Sequence, residues 1–221
     1  MAFHHIDMET WPRREHFQYY SEKLRTSYQL NVELDVTALV SNCAEAGYRF
    51  YPSMIYVIMR AINDSGEGSE AFRMAMDSSG RLGYYDVCHP SYTIFHEDDK
   101  TFSDIWTTYD PDFRTFYRSA VCDMETYRNV KGIKAKPGRP DAYTPVSCVP
   151  WVHFSSVAHD TPGPGPMYFP VVTFGKYELE GEKYMLPFSL FVNHAAADGY
   201  HSSMLVQRIG KFCSTCREWM K

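Results

Sequence analysis

The chain has 221 residues, 44% of them hydrophobic and 22% charged, which is enough for one domain with a substantial core. A net charge of −5 without a long basic run argues against nucleic acid as a partner. No apolar run approaches the ~20 residues that cross a bilayer, and no secretory signal is recognised, so we expect no membrane contact and a cytoplasmic location. Of the 6 cysteines, Cys213 and Cys216 form one Cys-x-x-Cys pair, but a zinc site usually needs a second pair, so we expect reduced thiols and no metal.

The first part of the chain predicts three helices and one strand. Thr10-Trp11-Pro12 is a favourable helix start, because threonine can cap a helix and proline is tolerated in its first turn. Apolar and polar residues alternate from Leu30 to Val36, which indicates a strand with one solvent-facing side. Helices are predicted to follow over 37–46 and 52–63.

The rest of the chain predicts shorter elements. Apolar runs bounded by turn residues predict strands over 72–76, 82–86, 92–96, 149–157, 168–177 and 184–192. Helices are predicted over 111–127 and from 200 to the end, and the Lys-, Pro- and Gly-rich stretch 130–143 is predicted to be a surface loop. Helices and strands alternate irregularly, with several hairpins. This pattern favours a single α+β domain over residues 1–221, with a mixed sheet and helices packed on one of its faces.

A His-x-x-x-Asp-Gly motif lies between an apolar run and the last predicted helix. His194 is a candidate general base, because histidine exchanges protons near neutral pH. The alternative is a partly buried histidine bonded to backbone. Asp198 could orient His194 directly or anchor the loop through a cation, for which Arg13 and Arg14 are the candidates.

Ser147 lies where a predicted loop enters an apolar strand. Its hydroxyl could donate to a developing oxyanion, although most serines at strand starts only bond locally. As a nucleophile it lacks the Gly-x-Ser-x-Gly turn. Cys148 has apolar neighbours, which argue against a reactive thiolate. Together with His194, Ser147 suggests acyl transfer from a thioester to a hydroxyl.

Several short motifs follow one another along nearly the whole chain. They include Trp-Pro-Arg-Arg-Glu-His-Phe at 11–17, Phe-Tyr-Pro at 50–52, Phe-Arg-Met-Ala-Met at 72–76, Tyr-Thr-Ile-Phe-His at 92–96, Thr-Phe-Ser at 101–103, Ser-Cys-Val-Pro-Trp at 147–151, Thr-Phe-Gly-Lys-Tyr at 173–177 and the segment 193–201. In this order and spacing they resemble the chloramphenicol acetyltransferases of the trimeric, His-x-x-x-Asp-Gly type. The resemblance implies a fold like that of CoA-dependent acyltransferases, and a homotrimer with each active site at a subunit interface.

The resemblance also implies a mechanism for antibiotic resistance by O-acetylation. The co-substrate would be acetyl-CoA, attacked directly by the acceptor hydroxyl without an acyl-enzyme. The implied roles are a general base for His194, an oxyanion donor for Ser147, a structural ion pair for Asp198 with Arg13, contact with the intermediate through water for Thr173, and positions near the CoA nucleotide for Lys176 and Tyr177.

The acceptor pocket matches the family less closely. Tyr20, Leu24, Phe102 and Ser103 match pocket positions. The departures from the family pattern are Val157 and His159 where Phe and Leu are usual, the segment 160–166, Asp104, Ile133 or Lys134 in place of an aromatic residue, Asn193 and Ala197. An ionisable group in an apolar pocket changes acceptor preference.

Four hypotheses follow from this reading. The first is acetylation of chloramphenicol, and the second is acetylation of another small hydroxylated molecule. The third is the catalytic core of a dihydrolipoyl acyltransferase, which shares the motif. The fourth is a ligand-binding trimer without catalysis.

Overall fold

The computed structural model describes residues 2–160 and 167–221. Two sheets and a set of helices account for most of them. In chain order the elements are β1 (Phe3–His5), α1 (Arg14–Gln18), a π-helical turn (Tyr19–Lys23), β2 (Ser27–Asp35), α2 (Thr37–Ala46), α3 (Phe50–Ile62), a 3₁₀ turn (Ser69–Phe72), β3 (Met74–Met76), β4 (Leu82–Tyr85), β5 (His89–His96), β6 (Thr101–Trp106), α4 (Phe113–Thr126), β7 (Tyr143–Val149), β8 (Val171–Gly175), β9 (Glu178–Glu180), β10 (Lys183–Asn193), α5 (Gly199–Ser214) and α6 (Cys216–Trp219).

The larger sheet, as described, has seven strands in the order β2-β10-β8-β7-β5-β6, with β9 paired to β10. β7 runs parallel to both β5 and β8, whereas the other pairs are antiparallel. The sheet is therefore mixed, as the alternation of elements predicts. A smaller sheet of order β1-β4-β3 lies beside it.

Helices cover one face of the larger sheet. α3 is buried over nearly its whole length, which its run of apolar residues explains, and Pro52 is tolerated because it lies in the first turn. Its side chains pack with Tyr92, Val146, Phe174 and Leu190 from four neighbouring strands. Because side chains alternate along a strand, the residues between these point to the opposite face. We call this opposite side, which carries Ser147, Thr173 and Ser189, the open face.

Three differences from the predicted elements concern β6 and β7. The strand predicted over 149–157 is wrong: β7 ends at Val149, because Pro150 enters a turn in which the Val152 N–H donates to the Val149 carbonyl at 3.4 Å. β7 begins instead at Tyr143, inside the stretch predicted as loop. β6 was not predicted, since its run of six residues is short and mixed in polarity.

The predicted helices agree better with the structure. The helices predicted over 37–46, 52–63 and 111–127 are confirmed within a few residues. The helix predicted from Thr10 begins at Arg14 and continues as a π-helical turn. Within the described ranges, no helix is both long and apolar enough to cross a membrane.

Candidate active site

The loop that carries His194 is closed by the side chain of its neighbour. Asn193 ends β10, and its Oδ1 accepts the N–H of Ala195 at 2.9 Å. Its carbonyl accepts the N–H groups of Ala196 and Ala197, both at 3.0 Å. All three alanines are buried, so the turn has no space for longer side chains. Asn193 therefore builds this turn locally, as an Asx-type turn.

Aromatic rings hold the His194 side chain. The ring of Tyr20 stacks on it with centroids 3.9 Å apart and planes 7° apart, and Tyr28 meets it edge-on at 5.2 Å. The His194 N–H donates to the carbonyl of Thr26 at 2.9 Å. Nδ1 is buried and has no hydrogen-bond partner among residues 2–160 and 167–221. Ring packing and the backbone thus orient this imidazole.

Asp198 makes its contacts away from His194. Its Oδ2 accepts from Arg13 Nη1 at 2.5 Å, and its Oδ1 contacts His201 Nδ1 at 2.8 Å and accepts the N–H of Tyr200 at 3.0 Å. The sequence left two roles open for Asp198, which were to orient His194 or to anchor the loop through a cation. In the structure Asp198 anchors the loop, and the cation is Arg13. Burial alone would raise the pKa of Asp198, but hydrogen bonds from His201 and Arg13 outweigh it and hold the pKa well below its usual range.

Sequence reasoning missed His201 as a contact of this carboxylate. It lies three residues after Asp198 in the first turn of α5, where Asp198 also caps the helix. That spacing places the two side chains on one side of the helix start. The signal was present in Asp-Gly-Tyr-His, but it depends on where the helix begins.

Ser147 lies in a row of polar side chains across the open face. It is in register with Thr173 on β8, which is in register with Ser189 on β10, which faces Asn31 on β2. Ser147 is partly exposed, whereas Thr173 and Ser189 are buried. A short polar row of this kind on a sheet face is suited to donate hydrogen bonds to a bound oxygen.

A cleft of about 1010 Å³ opens beside Ser147. Phe102 and Trp151 supply apolar walls, and the predicted CoA contacts Lys176 and Tyr177 line it as well. The remaining polar lining is mostly cationic. Its charged members are Arg49, Lys100, Glu125 and Arg128. The cleft therefore offers an apolar bed with positive charge, which suits a long anionic ligand.

Cys148 also lines the cleft, but its thiol faces a dry environment. Burial raises the pKa of Cys148 to about 12. Burial therefore favours the neutral thiol at physiological pH, which argues against Cys148 as a thiolate nucleophile.

Ser147 and His194 of one copy do not meet. His194 lies five residues beyond Ser189 along β10, which corresponds to about 16 Å of strand. Ser147 is a further two strands to the side, or about 10 Å. A site that uses both residues on one substrate thus needs His194 from one copy and Ser147 from another.

The predicted acceptor residues divide in the same way. Tyr20 and the exposed Leu24 lie on the His194 side, in and just after the π-helical turn. Phe102 lies on the Ser147 side. Ser103 does not line the cleft, because it is fully buried. Its hydroxyl contacts His96 Nε2 at 2.7 Å and donates to the Val130 carbonyl at 3.0 Å. Strand alternation turns it to the face opposite Phe102, so direct contact with an acceptor is not supported.

Val157 and His159 cover the open face over β2 and β10. The N–H of Val157 donates to Asn31 Oδ1 at 3.1 Å, and the N–H of His159 donates to Gln29 Oε1 at 2.7 Å. Both predicted pocket residues are therefore held by β2 side chains. The segment 161–166, part of the stretch that departs from the family pattern, lies outside the described residues.

The remaining departures lie outside the cleft. Asp104 pairs with Lys134 through an isolated backbone bridge, and burial raises the pKa of the Asp104 carboxyl. Ile133 is exposed. Ala197 is buried in the His194 turn.

Comparison with known proteins identifies the family. The model of the chloramphenicol acetyltransferase family matches residues 1–210. A chloramphenicol acetyltransferase of Clostridium perfringens is 36% identical over 220 residues, covering 100% of this chain and 99% of that protein. A chloramphenicol acetyltransferase of Bacillus pumilus is 37% identical over 218 residues, covering 99% of this chain and 96% of that protein.

Solved structures share the fold. A chloramphenicol acetyltransferase superposes with a TM-score of 0.81 at 21% identity, covering 96% of this chain and 100% of that one. A dihydrolipoamide acetyltransferase of Azotobacter vinelandii superposes with a TM-score of 0.63 at 13% identity, covering 89% of this chain and 84% of that one. The fold and the sequence matches define the chain as an acyltransferase. Within that class, it belongs to the chloramphenicol acetyltransferase family.

Proposed function

We propose that the protein transfers the acetyl group of acetyl-CoA to a hydroxyl of chloramphenicol. The proposal rests on two observations: Ser147 on β7 lies at a cleft with cationic lining, and His194, just after β10, is held by aromatic rings. Names of relatives that match over the full chain support the acceptor.

The proposed chemistry needs no acyl-enzyme. His194 takes the proton of the acceptor hydroxyl as the oxygen attacks the thioester carbon. The carbonyl oxygen becomes an oxyanion and accepts a hydrogen bond from Ser147. When the intermediate collapses, the C–S bond breaks and the CoA thiolate takes the proton back from His194. Thr173 would support the intermediate through water, and Asp198 with Arg13 would hold the loop.

We further propose that the working unit is a homotrimer with its sites between copies. The separation of Ser147 and His194 along and across the sheet supports this arrangement. Lys176 and Tyr177 would contact the CoA nucleotide, with Arg49 and Lys100 adding charge for its phosphates.

A second acceptor class has its own support. His159, which replaces an apolar residue of the family pattern, places a polar ring on the open face beside Thr173. A polar ring there would disfavour a wholly apolar substituent and favour another hydroxylated small molecule.

One assay separates these functions. Purified protein is mixed with acetyl-CoA and chloramphenicol, and release of the CoA thiol is followed with a thiol reagent. We expect release that depends on chloramphenicol. Release with another alcohol alone would favour the second acceptor class, and no release with any alcohol would favour a binding protein.

A further inference from the structure

The buried end of the polar row is held by a side chain of β2. Gln29 reaches across the open face, and its Nε2 donates to Ser189 Oγ at 2.5 Å. The Ser189 hydroxyl in turn donates to the Val157 carbonyl at 3.4 Å. Ser189 is fully buried, so this arrangement is shielded from water. The two hydrogen bonds run in one direction, from the Gln29 amide to Ser189 and from Ser189 to the Val157 carbonyl.

The main chain determines how the Gln29 amide is turned. The N–H of His159 can only donate, and it points at one end of the amide at 2.7 Å. That end must be the oxygen, because a flipped amide would set two donors against each other. The amide nitrogen therefore faces both Ser189 Oγ and His159 Nδ1, the latter at 3.1 Å. Both of its protons are used.

The orientation of this amide decides the tautomer of His159. Nδ1 accepts a hydrogen bond from the Gln29 nitrogen, so it carries no proton of its own. In the neutral ring the proton then sits on Nε2, which lies 3.4 Å from Thr173 Oγ1. His159 donates to that oxygen, and the Thr173 hydroxyl must direct its own proton elsewhere. Within the two described ranges, the hydroxyl has no other hydrogen-bond partner.

We propose that His159 is a positioning residue that, locked by Gln29, turns the Thr173 hydroxyl outward as a hydrogen-bond donor. Thr173 is in register with Ser147 on the neighbouring strand, so the two side chains are neighbours on one face, about 4.8 Å apart. On the function proposed above, the tetrahedral intermediate lies against Ser147, next to the Thr173 hydroxyl. His159 acts through Thr173 and touches no reacting atom.

The test compares variants that remove or keep the donor at His159. His159→Leu removes it, and His159→Gln keeps an N–H donor near the position of Nε2. We expect His159→Leu to lower kcat on the order of tenfold, as for one lost hydrogen bond, with the KM for acetyl-CoA unchanged. His159→Gln restores most of the loss. His4→Leu, an exposed histidine on β1, is the matched control and leaves kcat unchanged.

Coupling to Thr173 separates positioning from other roles. We expect Thr173→Val to lower kcat by a similar factor, and His159→Leu to have no further effect in that background. Additive losses, or an effect of His159→Leu confined to the KM of the acceptor, would overturn the proposal. If Thr173→Val alone leaves kcat unchanged in an active enzyme, the proposal is likewise overturned.

A spectroscopic measurement does not depend on activity. Nitrogen-15 NMR of the imidazoles, with His159 assigned by its loss in His159→Gln, should show a proton on Nε2 and a bare Nδ1. A proton on Nδ1 would overturn the proposal even in a fully active enzyme. If the wild type has no acetyltransferase activity but shows the expected tautomer, the proposed function fails while the Gln29–His159 lock stands.

Discussion

His194 is oriented by packing, and this distinguishes it from the histidine of a hydrolase triad. Two aromatic rings and a backbone bond fix it, while the nearby carboxylate of Asp198 is used by Arg13 and His201. A carboxylate bonded to a catalytic imidazole stabilises its cationic form. No such bond joins Asp198 to His194, so under the function proposed above the base would work without a carboxylate partner.

Replacing His194 with alanine tests its role as the base. We expect kcat to fall by about 10³-fold or more, because proton removal from the acceptor is lost, while the thermal melting curve shows that the fold is kept. The measurement is CoA thiol release at saturating substrates. Turnover near that of the wild type would refute the assignment.

Ser147 can be tested for the oxyanion role in the same assay. Ser147→Ala should lower kcat about 10²-fold, the usual loss for one such donor. Mass spectrometry of the wild-type protein after incubation with acetyl-CoA should show no added acetyl group. Complete inactivation together with an acetylated Ser147 would point to a covalent intermediate.

Asp198 gives a pH-dependent contribution to stability. The pKa of Asp198 is lower in the folded state than in the unfolded state. The stabilisation is therefore fully present at pH values above the unfolded-state pKa, and it is lost as the pH falls through the folded-state pKa. Asp198→Asn should therefore lower the melting temperature at pH 7 by about 3 °C. The difference from the wild type should shrink in acid.

The control for that measurement is Asp141→Asn, at an exposed position outside this network. It should melt as the wild type does at every pH. A pH-independent difference for Asp198→Asn would contradict the ion-pair explanation.

At the scale of elements, the segment after β7 is bonded through His153 to the end of β8 and to β2. His153 Nδ1 contacts the Lys176 carbonyl at 3.0 Å and Nε2 contacts Glu33 Oε1 at 2.9 Å. The hydrogen bond to Glu33 raises the pKa of His153. The contact is thus strongest when His153 is protonated, and it weakens as the pH rises through the raised pKa. It holds Trp151 and Lys176, two walls of the cleft, in one relative position.

Glu33→Gln should return the pKa of His153 toward its usual value. The fall is expected because an amide cannot stabilise the imidazolium as a carboxylate does. Proton NMR titration of the histidine rings measures it. An unchanged His153 pKa would show that Glu33 does not hold the ring.

At the scale of the whole molecule, one sheet carries the catalytic candidates at positions that no single copy brings together. His194 ends β10, whereas Ser147 lies in the middle of the open face. The open face carries exposed aromatic side chains such as Phe102 and Trp151. In the homotrimer proposed above, a second copy against this face would bring His194 and Ser147 together.

Mixing two inactive variants tests this arrangement. His194→Ala and Ser147→Ala copies are unfolded together and refolded, and acetyl transfer is compared with each variant alone. If a site pairs His194 of one copy with Ser147 of the next, random trimers regain about a quarter of wild-type activity. No recovery in mixed trimers of confirmed size would contradict a shared site.

Local pattern predicted much of the fold. The alternation at 30–36 coincides with β2 as far as its last residue, Asp35, and helical spacing located α2, α3 and α4. At 149–157 the apolar residues predicted a strand, but the chain turns after Pro150, whereas Pro145 lies inside β7. The local sequence does not distinguish a proline that is tolerated in a strand from one that ends it. The difference depends on whether a neighbouring strand has a carbonyl that would need the N–H which proline lacks.

The sequence by itself determined most of the helices, the mixed sheet and the candidates for the reactive side chains, because these follow from periodicity and side-chain chemistry. Only the tertiary structure decided that Asp198 serves Arg13 and His201, that Ser103 faces away from the cleft, and that Gln29 and His159 meet Thr173. Each of these arrangements depends on strand register and on which segments, far apart in the sequence, pack together. Local sequence does not encode that register, since a shift of one residue would turn every side chain to the other face.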